Sequence, residues 1–229
     1  MPEPNLSPHA GQPLATAGAP LEAARAAVIL VHGRGARAAG MIDLAQHVFD
    51  ERVAYLAPQA AGASWYPHSF LAPLAMNEPG LSSGLAVLAA LVARAKDAGV
   101  PAGRIVLLGF SQGACLALEF AARNPRRYGG VAALSGGLIG SADLPGTVPP
   151  DDKAFGYAGS LEGTPVLLGC SDRDAHIPLA RVHRSAEVMR GLGAEVDARI
   201  YPGMGHTINA EEIDLVAAMI GSVLQGASD

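Results

Sequence analysis

Arg104-Ile-Val-Leu-Leu-Gly-Phe-Ser-Gln-Gly-Ala-Cys-Leu-Ala-Leu-Glu-Phe-Ala-Ala-Arg123 is the stretch whose reading decides the fold. Ile105 to Leu108 is a short apolar, partly β-branched run, the pattern of a buried strand. Ala114 to Ala122 is mostly Ala and Leu, good helix formers small enough to pack closely on a sheet. Between them lies Gly109-Phe110-Ser111-Gln112-Gly113, a G-x-S-x-G. In that arrangement a serine sits on a sharp strand-to-helix turn with its hydroxyl exposed, and the flanking glycines remove side chains that would collide there. The helix behind it presents free N–H groups and favours negative charge at the turn. The plain alternative is a βα connection with an ordinary turn serine. The apolar strand before and the small-residue helix after favour a nucleophile, so Ser111 is the first candidate catalytic residue.

Composition suits one α/β domain. The chain has 229 residues, of which 50% are hydrophobic and 16% charged, with a net charge of −5. Mean hydropathy is +0.26 and the pI about 5.8. Such a chain can bury a large core and is not of the disordered class. The densest basic cluster, Arg123, Arg126 and Arg127, falls at a helix end, where cations complement the helix dipole, so no nucleic-acid partner is expected. The two cysteines, Cys115 and Cys170, read as buried free thiols. The N-terminus has neither a basic nor an apolar leader region, and no apolar run suits a membrane span. A cytoplasmic protein is the expectation.

Residues 1–24, rich in Pro, Gly and Ala, read as an arm or a loosely packed first strand, with His9 solvated; residues 25–229 are expected to form the domain. Ala26 to His32 is the first strong strand. It runs into His32-Gly33-Arg34-Gly35, a glycine-rich turn of the kind that supplies an oxyanion-hole N–H. The candidate donors are the backbone N–H groups of Arg34 and Gln112. A plain turn is the alternative, and a phosphate-binding loop is excluded because no Gly-Lys-Ser/Thr follows. Ala39 to Glu51 reads as an amphipathic helix with His47 on its surface, and Val53 to Pro58 as a strand.

The long connection from Gln59 to Gly80 carries Trp65, Tyr66, Phe70, Leu71 and Met76, broken by prolines. Long loops with apolar side chains after a strand's carboxyl end often border ligands. These five, with Ile177 further on, are the candidate substrate-binding residues, forming a wall or small lid. The competing reading makes the aromatics core filler. His68 is taken as a polar rim residue. Leu81 to Ala98 is a helix stopped by Gly99.

Gly129 to Ser135 reads as a strand and Gly136 to Gly163 as a surface loop. Thr164 to Gly169 is a further strand, ending in Cys170-Ser-Asp172-Arg-Asp174-Ala-His176-Ile177-Pro178. Either Asp172 or Asp174 could orient an imidazole. The alternation of Cys170, Asp172, Asp174 and His176 also raises a metal site, disfavoured because no second ligand cluster appears. Leu179 to Leu192 is a helix with His183 exposed, Glu195 to Tyr201 the last strand, and Asn209 to Leu224 the closing helix. His206, after that last strand, completes the order Ser…Asp…His used by α/β-hydrolases.

Alternating strands and helices imply a mainly parallel sheet covered on both faces. Over residues 26–225 the chain resembles the carboxylesterase/phospholipase group of α/β-hydrolases, which includes acyl-protein thioesterases and small bacterial esterases. The resemblance rests on His32-Gly33, Gly-Phe-Ser-Gln-Gly around Ser111, Asp174-x-x-Ile-Pro and Gly-x-Gly-His206. It implies an α/β-hydrolase fold without a large cap domain. It selects Asp174 as the acid, three residues before the β-branched residue and Pro. The chain departs from the family in having Arg34 after His-Gly and in its Trp65–Gly80 loop. The implied chemistry is acyl transfer to water by Ser111, His206 and Asp174, on a small ester or thioester, with no cofactor or metal. A thioesterase or lysophospholipase, or a non-catalytic binding protein on the same fold, are the alternatives; a monomer or homodimer is expected.

Overall fold

The computed structural model describes residues 6–148 and 152–226. Seven strands form one sheet: β1 (Leu14–Gly18), β2 (Ala26–Val31), β3 (Val53–Pro58), β4 (Ile105–Phe110) and β5 (Gly130–Leu134) are five of them. A two-stranded ribbon, β6 (Ala142–Asp143) and β7 (Lys153–Ala154), follows, then β8 (Pro165–Ser171) and β9 (Glu195–Tyr201) complete the sheet. Its order is β1-β3-β2-β4-β5-β8-β9, with β1 antiparallel to β3 and every other pairing parallel. The helices are α1 (Ala38–Ala45), α2 (Gly80–Asp97), α3 (Gln112–Arg123), α4 (Leu179–Gly191) and α5 (Ala210–Gln225). Among the described residues no helix is long and apolar enough to cross a membrane.

The side-chain alternation of the strands builds two cores. Ala27, Ile29 and Val31 of β2 point to the face covered by α2, α3 and α4, while Ala26, Val28 and Leu30 point to the face covered by α1 and α5. Strands buried on both faces read as continuous apolar runs, which is why β2, β4 and β5 are conspicuous in the sequence. The edge strand β9 instead alternates exposed Glu195, Asp197 and Arg199 with half-buried residues. Charges of this kind keep an edge from pairing with another chain. At the other edge Leu14–Gly18 is a short strand, and residues 1–5 of the N-terminal arm lie outside the described residues.

Three expectations are corrected. The helix expected over Ala39–Glu51 ends at Ala45 and tightens into a 3₁₀ turn over Gln46–Val48. The Tyr55 hydroxyl donates to the Val48 carbonyl and accepts from the Asp50 N–H, diverting that backbone from helical bonding. Residues 136–140, expected in a surface loop, are buried. Leu138 and Ile139 join the core, and the buried Glu119 carboxylate of α3 accepts the Ile139 and Gly140 N–H groups at 2.9 and 3.0 Å. His9, expected in solvent, is buried. Its Nε2 donates to the Trp65 carbonyl and its Nδ1 accepts from the Ala61 N–H.

Candidate active site

The turn between β4 and α3 places Ser111 at φ 55°, ψ −120°. A non-glycine residue at positive φ is strained, by about 1–3 kcal/mol, and persists only where its surroundings hold it. Here the Ser111 N–H donates to the Leu134 carbonyl of β5 and its own carbonyl accepts the Cys115 N–H. The flanking glycines are required by contact. A Cβ on Gly109 would lie 2.3 Å from the Gly113 carbonyl oxygen, and one on Gly113 would lie 2.0 Å from the Val31 carbonyl oxygen. The helix can therefore begin directly behind the β2 terminus only with glycine at 113.

Ser111 Oγ lies 2.8 Å from His206 Nε2, and His206 Nδ1 lies 2.7 Å from Asp174 Oδ2. The three residues leave the carboxyl ends of β4, β8 and β9, and the parallel sheet brings those ends to one side. Burial pushes the Asp174 carboxyl up, but the His206 imidazole and the His176 and Ile177 N–H groups outweigh it, and the net shift is below the ordinary carboxylate value. An ionised carboxylate is thus held on the imidazole, which fixes the tautomer with Nδ1–H towards the acid and Nε2 towards the serine. Asp172 has a different neighbour: its Oδ1 accepts the Gly203 N–H at 2.7 Å. Ser171 Oγ accepts the Gly205 N–H. Those two residues shape the turn that delivers His206, whose ring also packs on Phe110 and, edge-on, on His176.

On the opposite side of Ser111, β2 is followed directly by buried His32. Its Nδ1 donates to the Gly33 carbonyl at 2.7 Å, while Nε2 accepts the Ala60 N–H at 3.0 Å and is approached by the Gln59 amide at 3.2 Å. Burial lowers the His32 pKa, against the opposing Gly33 hydrogen bond, so the ring is neutral. The Gly33 carbonyl and the Arg34 N–H belong to one planar trans peptide and point in opposite directions. Fixing the carbonyl on His32 therefore fixes the direction of the Arg34 N–H. Gly33 packs on Ser111, since a Cβ there would meet Ser111 Cβ at 3.3 Å. Gln112, first residue of α3, is clamped by its side chain, which accepts the Trp65 N–H and donates to the Tyr66 carbonyl, both at 2.8 Å.

These groups surround a cavity of about 610 Å³ that contains Ser111 and His206 in its wall. Of the six side chains predicted to bind substrate, Tyr66, Phe70 and Ile177 line it. Trp65, Leu71 and Met76 do not. Trp65 is fully buried, its indole N–H donating to the His32 carbonyl at 2.9 Å, so it braces the loop behind Ser111 instead of facing a substrate. Leu71 packs against the core from outside, and Met76 is exposed. His68 borders the cavity, as do Phe110, Cys115 and His176, which are among the residues that sequence reasoning did not assign to it. Phe110 lies within the G-x-S-x-G and was open to inference; Cys115 was hidden inside an apolar helix. Burial pushes the Cys115 thiol up to about 12, which makes it an apolar wall group at neutral pH. Among the described residues no group of three or more His, Cys, Asp or Glu side chains is arranged to hold a metal ion.

Residues 15–224 match the family described as phospholipase/carboxylesterase. An acyl-protein thioesterase 1 from Aspergillus fumigatus is 30% identical, the match covering 89% of this chain and 90% of that protein. An acyl-protein thioesterase 1 from Gibberella zeae is 35% identical over 57% of this chain, and the match spans only about half, 52%, of that relative's length. The crystal structure of a phospholipase/carboxylesterase from Dyadobacter fermentans superimposes with a TM-score of 0.82 at 41% identity, covering 91% of this chain and 96% of that one.

Proposed function

The chain belongs to the phospholipase/carboxylesterase family, and on that premise we propose that it hydrolyses carboxylic esters through an acyl-enzyme on Ser111. The observation that carries this reading is the continuous hydrogen-bonded line from Ser111 Oγ through His206 to Asp174, at 2.8 and 2.7 Å. His206 Nε2 takes the hydroxyl proton as Ser111 attacks the ester carbonyl. Asp174, held ionised, stabilises the imidazolium that forms. The Arg34 and Gln112 N–H groups stabilise the developing oxyanion, each by about 3 kcal/mol in comparable sites. His206 then protonates the departing alkoxide. Water, activated by the same imidazole, releases the acid and restores the serine.

The apolar wall of Tyr66, Phe70, Phe110 and Ile177 supports an aliphatic or aromatic acyl or alcohol group. The relatives named acyl-protein thioesterase favour a thioester as the second reading, on the same residues. The test is hydrolysis of 4-nitrophenyl esters from acetate to palmitate beside a thioester of the preferred acyl group. Ser111→Ala is expected to abolish turnover and leave the melting temperature near wild type. An alanine variant as fast as wild type would refute the nucleophile assignment.

A further inference from the structure

Arg34, in the turn after β2, is exposed and stands in the wall of the cavity of Ser111. Three of its five N–H donors are used, and each goes to a neutral oxygen. Nη1 donates to Ser64 Oγ and to the Pro67 carbonyl, and Nη2 to the His68 carbonyl. The head rests over the Tyr66 ring at 5.9 Å. The Nε–H and one Nη2–H have no acceptor among the described residues, and no carboxylate there pairs with the charge. The tether holds the guanidinium at the cavity, so the position is preorganised while the charge stays uncompensated.

The rest of the wall does not neutralise it. No Asp or Glu is among the wall residues; the ionised Asp174 stands behind His206 and is engaged by it. A guanidinium with two N–H donors left over, beside a wall without carboxylates, matches a carboxylate or phosphate.

We infer that Arg34 makes the enzyme selective for esters bearing an anionic group, a carboxylate or phosphate, close to the scissile bond. This rests on the reading of Ser111 as the nucleophile. One charge-assisted hydrogen bond in a partly open site corresponds to about a tenfold gain in kcat/KM over the neutral isostere.

The test compares matched ester pairs on wild type, Arg34→Met and Arg34→Lys. For an anion on the acyl side, mono-(4-nitrophenyl) glutarate is set against 4-nitrophenyl pentanoate. For an anion on the alcohol side, 4-carboxyphenyl pentanoate is set against 4-carbamoylphenyl pentanoate. Wild type is expected to favour the anion in one pair by about tenfold, with the preference weakened by added salt. Arg34→Met is expected to lose the preference, and Arg34→Lys to keep part of it. The pair that responds identifies the side of the ester that carries the charge. A purely structural tether would lower both members of a pair equally in Arg34→Met; that outcome, or a wild-type preference for both neutral esters, overturns the proposal. If wild type cleaves neither neutral nor anionic esters, the hydrolase reading itself fails, and the two failures are thereby distinguished.

Discussion

His32→Leu tests whether the β2 terminus sets the geometry of the proposed oxyanion site. The substitution keeps an apolar side chain of similar bulk and removes three polar contacts. The buried Ala60 N–H loses its acceptor, a cost of about 1–3 kcal/mol in stability. The Gly33 carbonyl loses the 2.7 Å bond that orients its peptide, so the Arg34 N–H on the other side of that peptide is no longer aimed. Complete loss of one such donor typically costs 10²–10³ in kcat. Misalignment without deletion is expected to cost about 10–100-fold, in kcat more than in KM, because the contact strengthens only in the transition state. Two isosteres separate orientation from stability. His32→Asn places an amide N–H where Nδ1 stood and should retain most of kcat while losing the Ala60 bond. His32→Gln reaches the Nε2 position and should recover stability without kcat. Steady-state kinetics on a 4-nitrophenyl ester and urea unfolding read the two effects independently. A folded His32→Leu enzyme with wild-type kcat would refute the argument. The lowered His32 pKa adds a sign: below the ordinary imidazole value of 6.5 the unfolded chain binds the proton first, so stability falls as pH drops towards the folded-state value. His32→Leu should lack that component.

Three further outcomes concern other buried groups. Buried Arg181 pairs with Asp152 and lies over the Phe70 and Phe155 rings; Asp152→Ala removes one of its partners and should cost about 2 kcal/mol, a melting-temperature drop of about 4–8 °C by calorimetry. Glu212 completes a capping box with Asn209 at the start of α5, and burial raises its pKa above the ordinary 4.5, with Oε1 left without a partner. A raised folded-state pKa contributes stability below the unfolded value that is lost as pH rises through the folded one. Relative to wild type, Glu212→Gln should therefore gain stability as pH increases from about 4.5, and chemical denaturation at several pH values showing the opposite slope would sink the assignment. Cys115 and Cys170 are both pushed up to about 12 by burial, so mass spectrometry should find neither alkylated by iodoacetamide at about pH 8 until the protein is unfolded.

The parts of this molecule that could be read from the chain are those dictated by local pattern. Apolar runs between glycine-rich turns marked β2, β4, β5 and β8, because strands buried on both faces tolerate little else. The glycines at 109 and 113 marked the sharp turn, because any side chain there meets backbone within 2.3 Å. The order of Ser111, Asp174 and His206 along the chain, each after a strand, was sufficient to place them on one sheet edge. Which aspartate meets the imidazole was not legible from the residues alone. Asp172 and Asp174 are two residues apart in one loop, and only the course of that loop sends one to His206 and the other to the Gly203 N–H. The same holds for Trp65 and Tyr66: adjacent in sequence, one braces the His32 carbonyl in the core and the other faces the cavity. His9, in a segment with no periodicity, is drawn inside by the unpaired Ala61 N–H and Trp65 carbonyl that it satisfies. The composition and spacing of the chain determined a mainly parallel α/β sheet with its candidate site residues at one edge, since burial and steric exclusion act on neighbours in sequence. The cavity wall, the brace behind the turn after β2 and the unpaired charge of Arg34 were decided only by tertiary structure, since they depend on which groups distant in sequence satisfy one another's hydrogen bonds.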